Sequence, residues 1–269
     1  MLRIFGKVAA TALVLAFVPP ISASAVQTER PGKPGKPKVT ITVPAEVIEG
    51  EQVPVEVKIG RTEDAKQVQL QQLVVQLGSP TWQTVAKTRA RKKKGYRFQA
   101  IAGEDDTLQL RARVVYRTGR PAMSTPVVST VWHWTRLADF PPYSHTSGVN
   151  DTGISSFTVN GQSFHGWFTT GALKSWESRF TPGRHCKAMR GVAGVRDESA
   201  DGSTALVQVL ADDATVYASP PLTPGTSQPF QVDLALPFRL AIQAQNTSLT
   251  ALSTYPAIGN PELLCTGLG

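Results

Sequence analysis

The chain has 269 residues and a formal net charge of +8, with 41% apolar and 18% charged residues, 22 Gly and 20 Pro. That composition excludes wholesale disorder, a collagen repeat and a disulfide-dense miniprotein, and the length suits two domains of the usual ~100–200 residues. The charge raises the question of nucleic acid, and the answer depends on where the cations sit.

Residues 1–25 have the layout of a secretory signal. Arg3 and Lys7 precede an apolar run from Val8 to Val18, closed by Pro19 and Pro20. Ala23-Ser24-Ala25 supplies the small residues that signal peptidase accepts, so cleavage is expected after Ala25. The run is shorter than the ~20 residues a membrane span requires. No later segment is long and apolar enough, so a secreted chain with no transmembrane segment is expected. Residues 26–37 are rich in Pro, Gly and Lys, which alternate from Pro31 (Pro31-Gly32-Lys33-Pro34-Gly35-Lys36), and read as an extended, solvated tether.

The cations are unevenly placed. Val26 to Thr135 carries 18 Lys and Arg against 10 Asp and Glu, whereas Arg136 to Gly269 carries 8 against 10. Beyond the tether, the excess concentrates between Lys87 and Arg97, with Arg91, Lys92, Lys93 and Lys94 as a basic surface patch. Lys92-Lys93-Lys94-Gly95 reads as a hairpin turn. A nucleic-acid site needs charge spread over a face with aromatics between, and only Tyr96 and Phe98 are close. Nucleic acid is therefore not an expected partner. The patch reads either as a solvated loop or as a contact for an anionic surface.

Residues 38–135 show seven short strands at roughly ten-residue spacing, the pattern of a β-sandwich. Val39–Val43, Val53–Ile59 and Leu108–Val114 alternate apolar and polar residues. Val68–Gln71, Trp82–Ala86, Tyr96–Gln99 and Pro126–Trp132 complete the set. Pro54 suits an edge strand, and Trp82 is expected in the core. The order resembles the immunoglobulin-like or fibronectin-type modules of exported bacterial proteins. The resemblance rests on Val68-Gln69-Leu70-Gln71, Trp82-Gln83-Thr84-Val85-Ala86, Gly95-Tyr96-Arg97-Phe98 and Leu110-Arg111-Ala112. It implies a spacer or presenting role.

Residues 136–151, with Phe140-Pro141-Pro142-Tyr143, read as a linker. Strands resume in residues 152–269. Asn160-Gly161 between Phe157–Val159 and Gln162–Phe164 is a strong hairpin signal. Cys186–Val195, Thr204–Ala211, Thr215–Ala218, Gln231–Leu234, Phe238–Gln243 and Glu262–Cys265 form a meander. Cys186 and Cys265, an even count in an exported chain, are expected to form a disulfide. A catalytic Cys186 would need a base, and adjacent His185 would face the opposite side of a strand.

The second half resembles the NPCBM carbohydrate-binding modules. The carrying residues are Phe157-Thr158-Val159-Asn160-Gly161, Arg184-His185-Cys186, Gly194-Val195-Arg196-Asp197-Glu198-Ser199, Asp212-Asp213-Ala214-Thr215-Val216-Tyr217 and Gly259-Asn260-Pro261-Glu262-Leu263-Leu264-Cys265. Arg196 stands where an acid is common in that family. The resemblance spans about residues 152–266 and implies a jelly-roll that binds glycan without hydrolysing it. The fold class expected for the whole is all-β, an immunoglobulin-like sandwich followed by a jelly-roll sandwich. A sugar ring stacks its C–H face on an aromatic and gives its hydroxyls to planar polar groups. Trp167, Trp176, Tyr217 and Tyr255, with Arg196 and Asp197, are the candidate ligand contacts.

Other chemistries find no motif. His133, His145, His165 and His185 have no zinc spacing. Gly161-Gln162-Ser163-Phe164-His165-Gly166 misses the nucleophile elbow. Asp197-Glu198-Ser199-Ala200-Asp201-Gly202 opens like a calcium loop, but its twelfth position is Gln208. No cofactor or metal is expected. The reading is a secreted, non-catalytic protein that binds a cell-envelope or environmental glycan. The alternatives are an exported adhesion subunit that binds protein through its sandwich faces, and a glycan-active hydrolase.

Overall fold

The computed structural model describes residues 38–267 apart from 77 and 172, and these lie within one compact unit. The expected signal and most of the tether lie outside the described residues. Strands dominate, and the described residues contain no α-helix.

Nine strands build the first layer pair: β1 (Val39–Thr42), β2 (Glu46–Ile48), β3 (Gln52–Ile59), β4 (Ala65–Gln76), β5 (Ser79–Arg89), β6 (Gly95–Ile101), β7 (Thr107–Tyr116), β8 (Ala122–Met123) and β9 (Val127–Arg136). One sheet runs β1-β3-β6, and the other runs β9-β7-β4-β5, with β2 on β9 and β8 on β7. Alternation decides the faces: along β3 every second residue is buried, from Val53 to Ile59. Val55, Val57 and Phe98 from one sheet meet Leu70, Leu110 and Val114 from the other in a single core. Pro54 is tolerated inside β3 because β1 stops opposite Glu56, so Pro54 has a strand on one side only.

Two expectations are corrected here. Residues 90–94 do not turn a hairpin, because β5 pairs with β4 and β6 pairs with β3. The basic segment instead crosses from one sheet to the other. Trp82 is not in the core. It is half-buried on strand β5, with the Arg111 guanidinium 4.1 Å above its ring.

A one-turn 3₁₀ helix (Leu137–Asp139) leads into the second layer pair. Its strands are β10 (Ser144–His145), β11 (Val149–Asn150), β12 (Ser156–Val159), β13 (Gln162–Thr169), β14 (Ser175–Phe180), β15 (Cys186–Val195), β16 (Ala205–Ala211), β17 (Ala214–Ala218), β18 (Ser227–Asp233), β19 (Leu240–Asn246) and β20 (Pro256–Cys265). The sheet β10-β14-β19-β16-β17 packs on a sheet containing β11, β13, β20, β15 and β18. Leu137 and Phe140, from the segment read as a linker, are buried in this core. Asn160 and Gly161 have φ of 52° and 72° and close the β12–β13 hairpin as the dipeptide predicts.

Strand β20 serves both halves. Its first residues pair with β13, Gly259 opposite Gly166. Its last residues pair with β9, Glu262 opposite Arg136 and Cys265 opposite His133. Its other edge is filled by β15 throughout. A small cluster of Trp132, Ala188 and Leu264 packs at this seam. Lys187 caps it, with Nζ 3.9 Å above the Trp132 ring and 2.7 Å from Glu46. Cys186 and Cys265 are cross-strand partners on β15 and β20, and they form the expected disulfide.

Candidate functional site

The outer face of β18-β15-β20 carries a shallow groove of about 490 Å³. Register places its polar groups. Arg190 of β15 lies opposite Gln231 of β18 on one side and Glu262 of β20 on the other. Cross-strand partners share a face, so the three side chains stand in one row. The pairing slips between Arg190 and Val192, where Asn260 adopts φ 45°. That bulge sets Asn260 at the groove, where it accepts from the His165 N–H at 3.4 Å. Bulges re-aim side chains in this way and recur beside functional sites.

Two glycines keep the floor low. A Cβ on Gly259 would lie 2.5 Å from the Phe164 ring, and one on Gly191 would meet Ile258 at 2.8 Å. Val192 and Phe230 give the groove apolar surface, and Phe230 stacks on Tyr217 with ring centres 4.2 Å apart. On the far side, Trp134 of β9 lies 4.1 Å under the Arg190 guanidinium. Arg190 Nε donates to Glu262 Oε2 at 2.6 Å. The ion pair offsets both charges, so the row presents donors and acceptors without a strong net field.

The candidates read from sequence are not brought together. Trp167 and Trp176 are each 1% exposed and belong to the core between the sheets. Neither ring face can reach a ligand, because inward positions of β13 and β14 meet the opposite sheet. Trp167 Nε1 donates to Ser178 Oγ at 2.9 Å, and Ser178 donates to Asp151 at 3.0 Å. Arg196 is held by Phe168, Tyr255, Glu198 and the Thr169 carbonyl. Asp197 accepts the N–H groups of Asn160 and Gly161 at 2.7 and 2.9 Å. Its carboxylate therefore clamps the β12–β13 turn. Tyr255 is half-buried beside Arg196. Tyr217 alone touches the groove, as the support behind Phe230, and burial pushes its phenol above the ordinary range. Arg91, Lys92, Lys93 and Lys94 are exposed, with Lys93 Nζ 5.1 Å from the Tyr96 ring centre.

Sequence reasoning missed Trp134, Arg190, Gln231 and Glu262. Arg190 and Glu262 give one signal, charged residues interrupting the apolar strands β15 and β20, whereas Trp134 and Gln231 give none. Pairing, which unites β9, β15, β18 and β20, is what makes them neighbours. Among the described residues, no group of three or more His, Cys, Asp or Glu is placed to hold a metal ion.

The β15 and β18 side of the groove lies in a part of the chain with a recognisable pattern, whereas Gly259, Asn260 and Glu262 of β20 lie beyond it. Residues 135–251 match the family model of the NPCBM/NEW2 domain. The NPCBM/NEW2 match begins at Thr135 instead of near residue 152, and so takes in Leu137 and Phe140. It ends before β20, which the fold nonetheless places inside the same sheet. No curated protein matches the chain. Among solved structures the chain matches a carbohydrate-binding module CBM36 in complex with calcium and xylotriose, 11% identical with TM-score 0.29, covering 48% of this chain and 98% of that one. A SusE-like protein is 8% identical with TM-score 0.32, covering 84% and 96%. A cycloalternan-degrading enzyme from Trueperella pyogenes is 10% identical with TM-score 0.23, covering 79% of this chain but 31% of that one.

Proposed function

We propose that this is an exported, non-catalytic protein that binds carbohydrate of a cell envelope or its surroundings through the β18-β15-β20 groove. The observation that carries the reading is the row Gln231–Arg190–Glu262 beside Trp134, Val192 and Phe230, within and next to the NPCBM/NEW2 segment. Planar polar groups next to apolar surface suit a pyranose, whose C–H face is buried while its hydroxyls are hydrogen-bonded. Glycoside hydrolysis needs two carboxyl groups flanking the bond. Glu262 is the single carboxylate lining this groove, and Arg190 holds it. The apolar run and small-residue site in residues 1–25 support export.

A panel of neutral and acidic polysaccharides in affinity electrophoresis tests the reading. Retention of one or more neutral polymers is expected. Trp134→Ala and Glu262→Gln should each weaken it, with no release of reducing sugar by the wild type. No retention of any polymer, or retention untouched by both substitutions, overturns it.

A further inference from the structure

The first sandwich carries a second surface, built independently of the groove. Val68 and Leu70 of β4 point into the core, so Gln67, Gln69 and Gln71 line the outer face of β5-β4-β7. Register sets cations around them. Gln69 lies between Lys87 and Arg113, Gln71 between Thr84 and Arg111, and Gln67 beside Arg89. Arg111 Nε donates to Gln71 at 2.9 Å, Arg113 Nη1 to Gln69 at 3.3 Å, and Gln69 Nε2 to Gln67 at 2.7 Å. Trp82 ends the array under Arg111. At the other end, Arg89 also lines a hollow of about 410 Å³ with Lys66 and Arg117.

This charge is unanswered. Residues 65–135 contain 12 Lys and Arg but only three acids, Glu104, Asp105 and Asp106, all in the loop between β6 and β7. Among the described residues, none of Lys66, Lys87, Arg89, Arg111 and Arg113 has a carboxylate at ion-pair distance. Arg113 Nε is buried without a hydrogen-bond partner. Arg97 in the opposite sheet is different, since Glu56 sits 3.3 Å away. Burial and the neighbouring Arg113 also hold the Arg111 guanidinium below its ordinary range. Arg111 and Arg113, held by glutamine amides, and the exposed Lys87 and Arg89 beside them form a set of cations arranged to receive anions from outside.

We propose that the outer face of β5-β4-β7 binds a linear acidic polysaccharide through its carboxylates. Guanidinium groups pair with carboxylates in a planar, two-bonded geometry. Gln67, Gln69 and Thr84 serve the hydroxyls, while Gln71 is buried and holds Arg111 in place. Strands about 4.8 Å apart repeat the cations along a line, which matches a polymer better than a single small anion. The exposed apolar residues of β4 and β5 are Val75 and Val85, short side chains set among the cations, and the Trp82 ring is capped by Arg111, so little apolar surface is free to enter a lipid layer. Nucleic acid would need open aromatic faces for its bases.

The test uses the full chain with polygalacturonate, its methyl ester, phosphatidylglycerol vesicles and single-stranded DNA. Polygalacturonate should bind, and added salt should release it, because exposed charges are screened. Lys87 and Arg89 are exposed on β5, so Lys87→Gln with Arg89→Gln spares the core. This pair should weaken polygalacturonate binding about tenfold, roughly threefold for each of the two exposed charge contacts removed. Lys92→Gln with Lys93→Gln and Lys94→Gln should leave it within about twofold. Equal binding of the methyl ester, no effect of the Lys87 and Arg89 changes, or tighter binding to vesicles or DNA overturns the proposal. Glu262→Gln should leave polygalacturonate binding unchanged, which separates this face from the groove.

Discussion

Arg190 donates from Nε to Glu262 Oε2 at 2.6 Å, and this pair spans β15 and β20 where β20 exchanges β13 for β9. Both side chains are part-exposed, at 42% and 27%. Exposed ion pairs contribute about 0–1 kcal/mol to stability. Glu262→Gln should therefore shift the urea midpoint little while clearly weakening polysaccharide retention. A large loss of stability with unaltered retention would make the pair a structural strut and not a binding element.

The two buried tryptophans have the same exposure but different polar ends. Trp167 Nε1 is hydrogen-bonded to Ser178, whereas Trp176 Nε1 has no partner. Replacement by Phe removes similar volume at each site. Trp167→Phe should be the costlier by about 1 kcal/mol, the net worth of a buried hydrogen bond. Denaturant unfolding of the two variants checks this, and Trp176→Phe being the more destabilising would refute it.

Asp197 acts on the β12–β13 turn. Asp197→Ala removes the acceptor of two backbone N–H groups and should cost about 1–2 kcal/mol. Polysaccharide retention at the folded baseline should stay at the wild-type level. Weakened retention with wild-type stability would return Asp197 to the ligand site.

Alkaline pH probes Tyr116 and Tyr217. Burial pushes both phenols above the ordinary value of about 10. Above that pH the unfolded chain releases protons that the folded chain retains, so folding stability falls as pH rises. The contribution is fully present below the ordinary value. Tyr217→Phe should flatten part of the decline, and phenolate absorbance should rise later in the native protein than after denaturation. Coincident rises would contradict the burial account.

Period-two alternation made most strands legible, because each buries one face against a partner sheet. Cys186–Val195 coincides with β15 at both ends. Asn160-Gly161 named its own turn, since few dipeptides accept two positive φ values. The basic segment at 90–94 was misassigned because turn composition is the same within a sheet and between sheets. Trp176 reads as exposed because Lys174, Ser175, Glu177 and Arg179 flank it, on a strand whose alternate residues face water. Polar immediate neighbours on a strand mark the opposite face, and period-two alternation with Ser178 and Phe180 puts Trp176 inside. The groove was illegible for another reason. Trp134 and Glu262 are 128 positions apart in the numbering, and the β9–β20 ladder is what joins their strands.

The Cys186–Cys265 bridge has a mechanical consequence. A pull applied between residues 38 and 267 would pass through the bridge and bypass the 79-residue stretch it closes. At ~3.5 Å per extended residue, about 280 Å of contour is withheld from extension. Both faces of β15 and β18, and the groove they carry, lie within that stretch. The first sandwich and β10–β14 can be unravelled by tension while residues 186–265 stay tied, so a load would reach the Arg190–Glu262 row last.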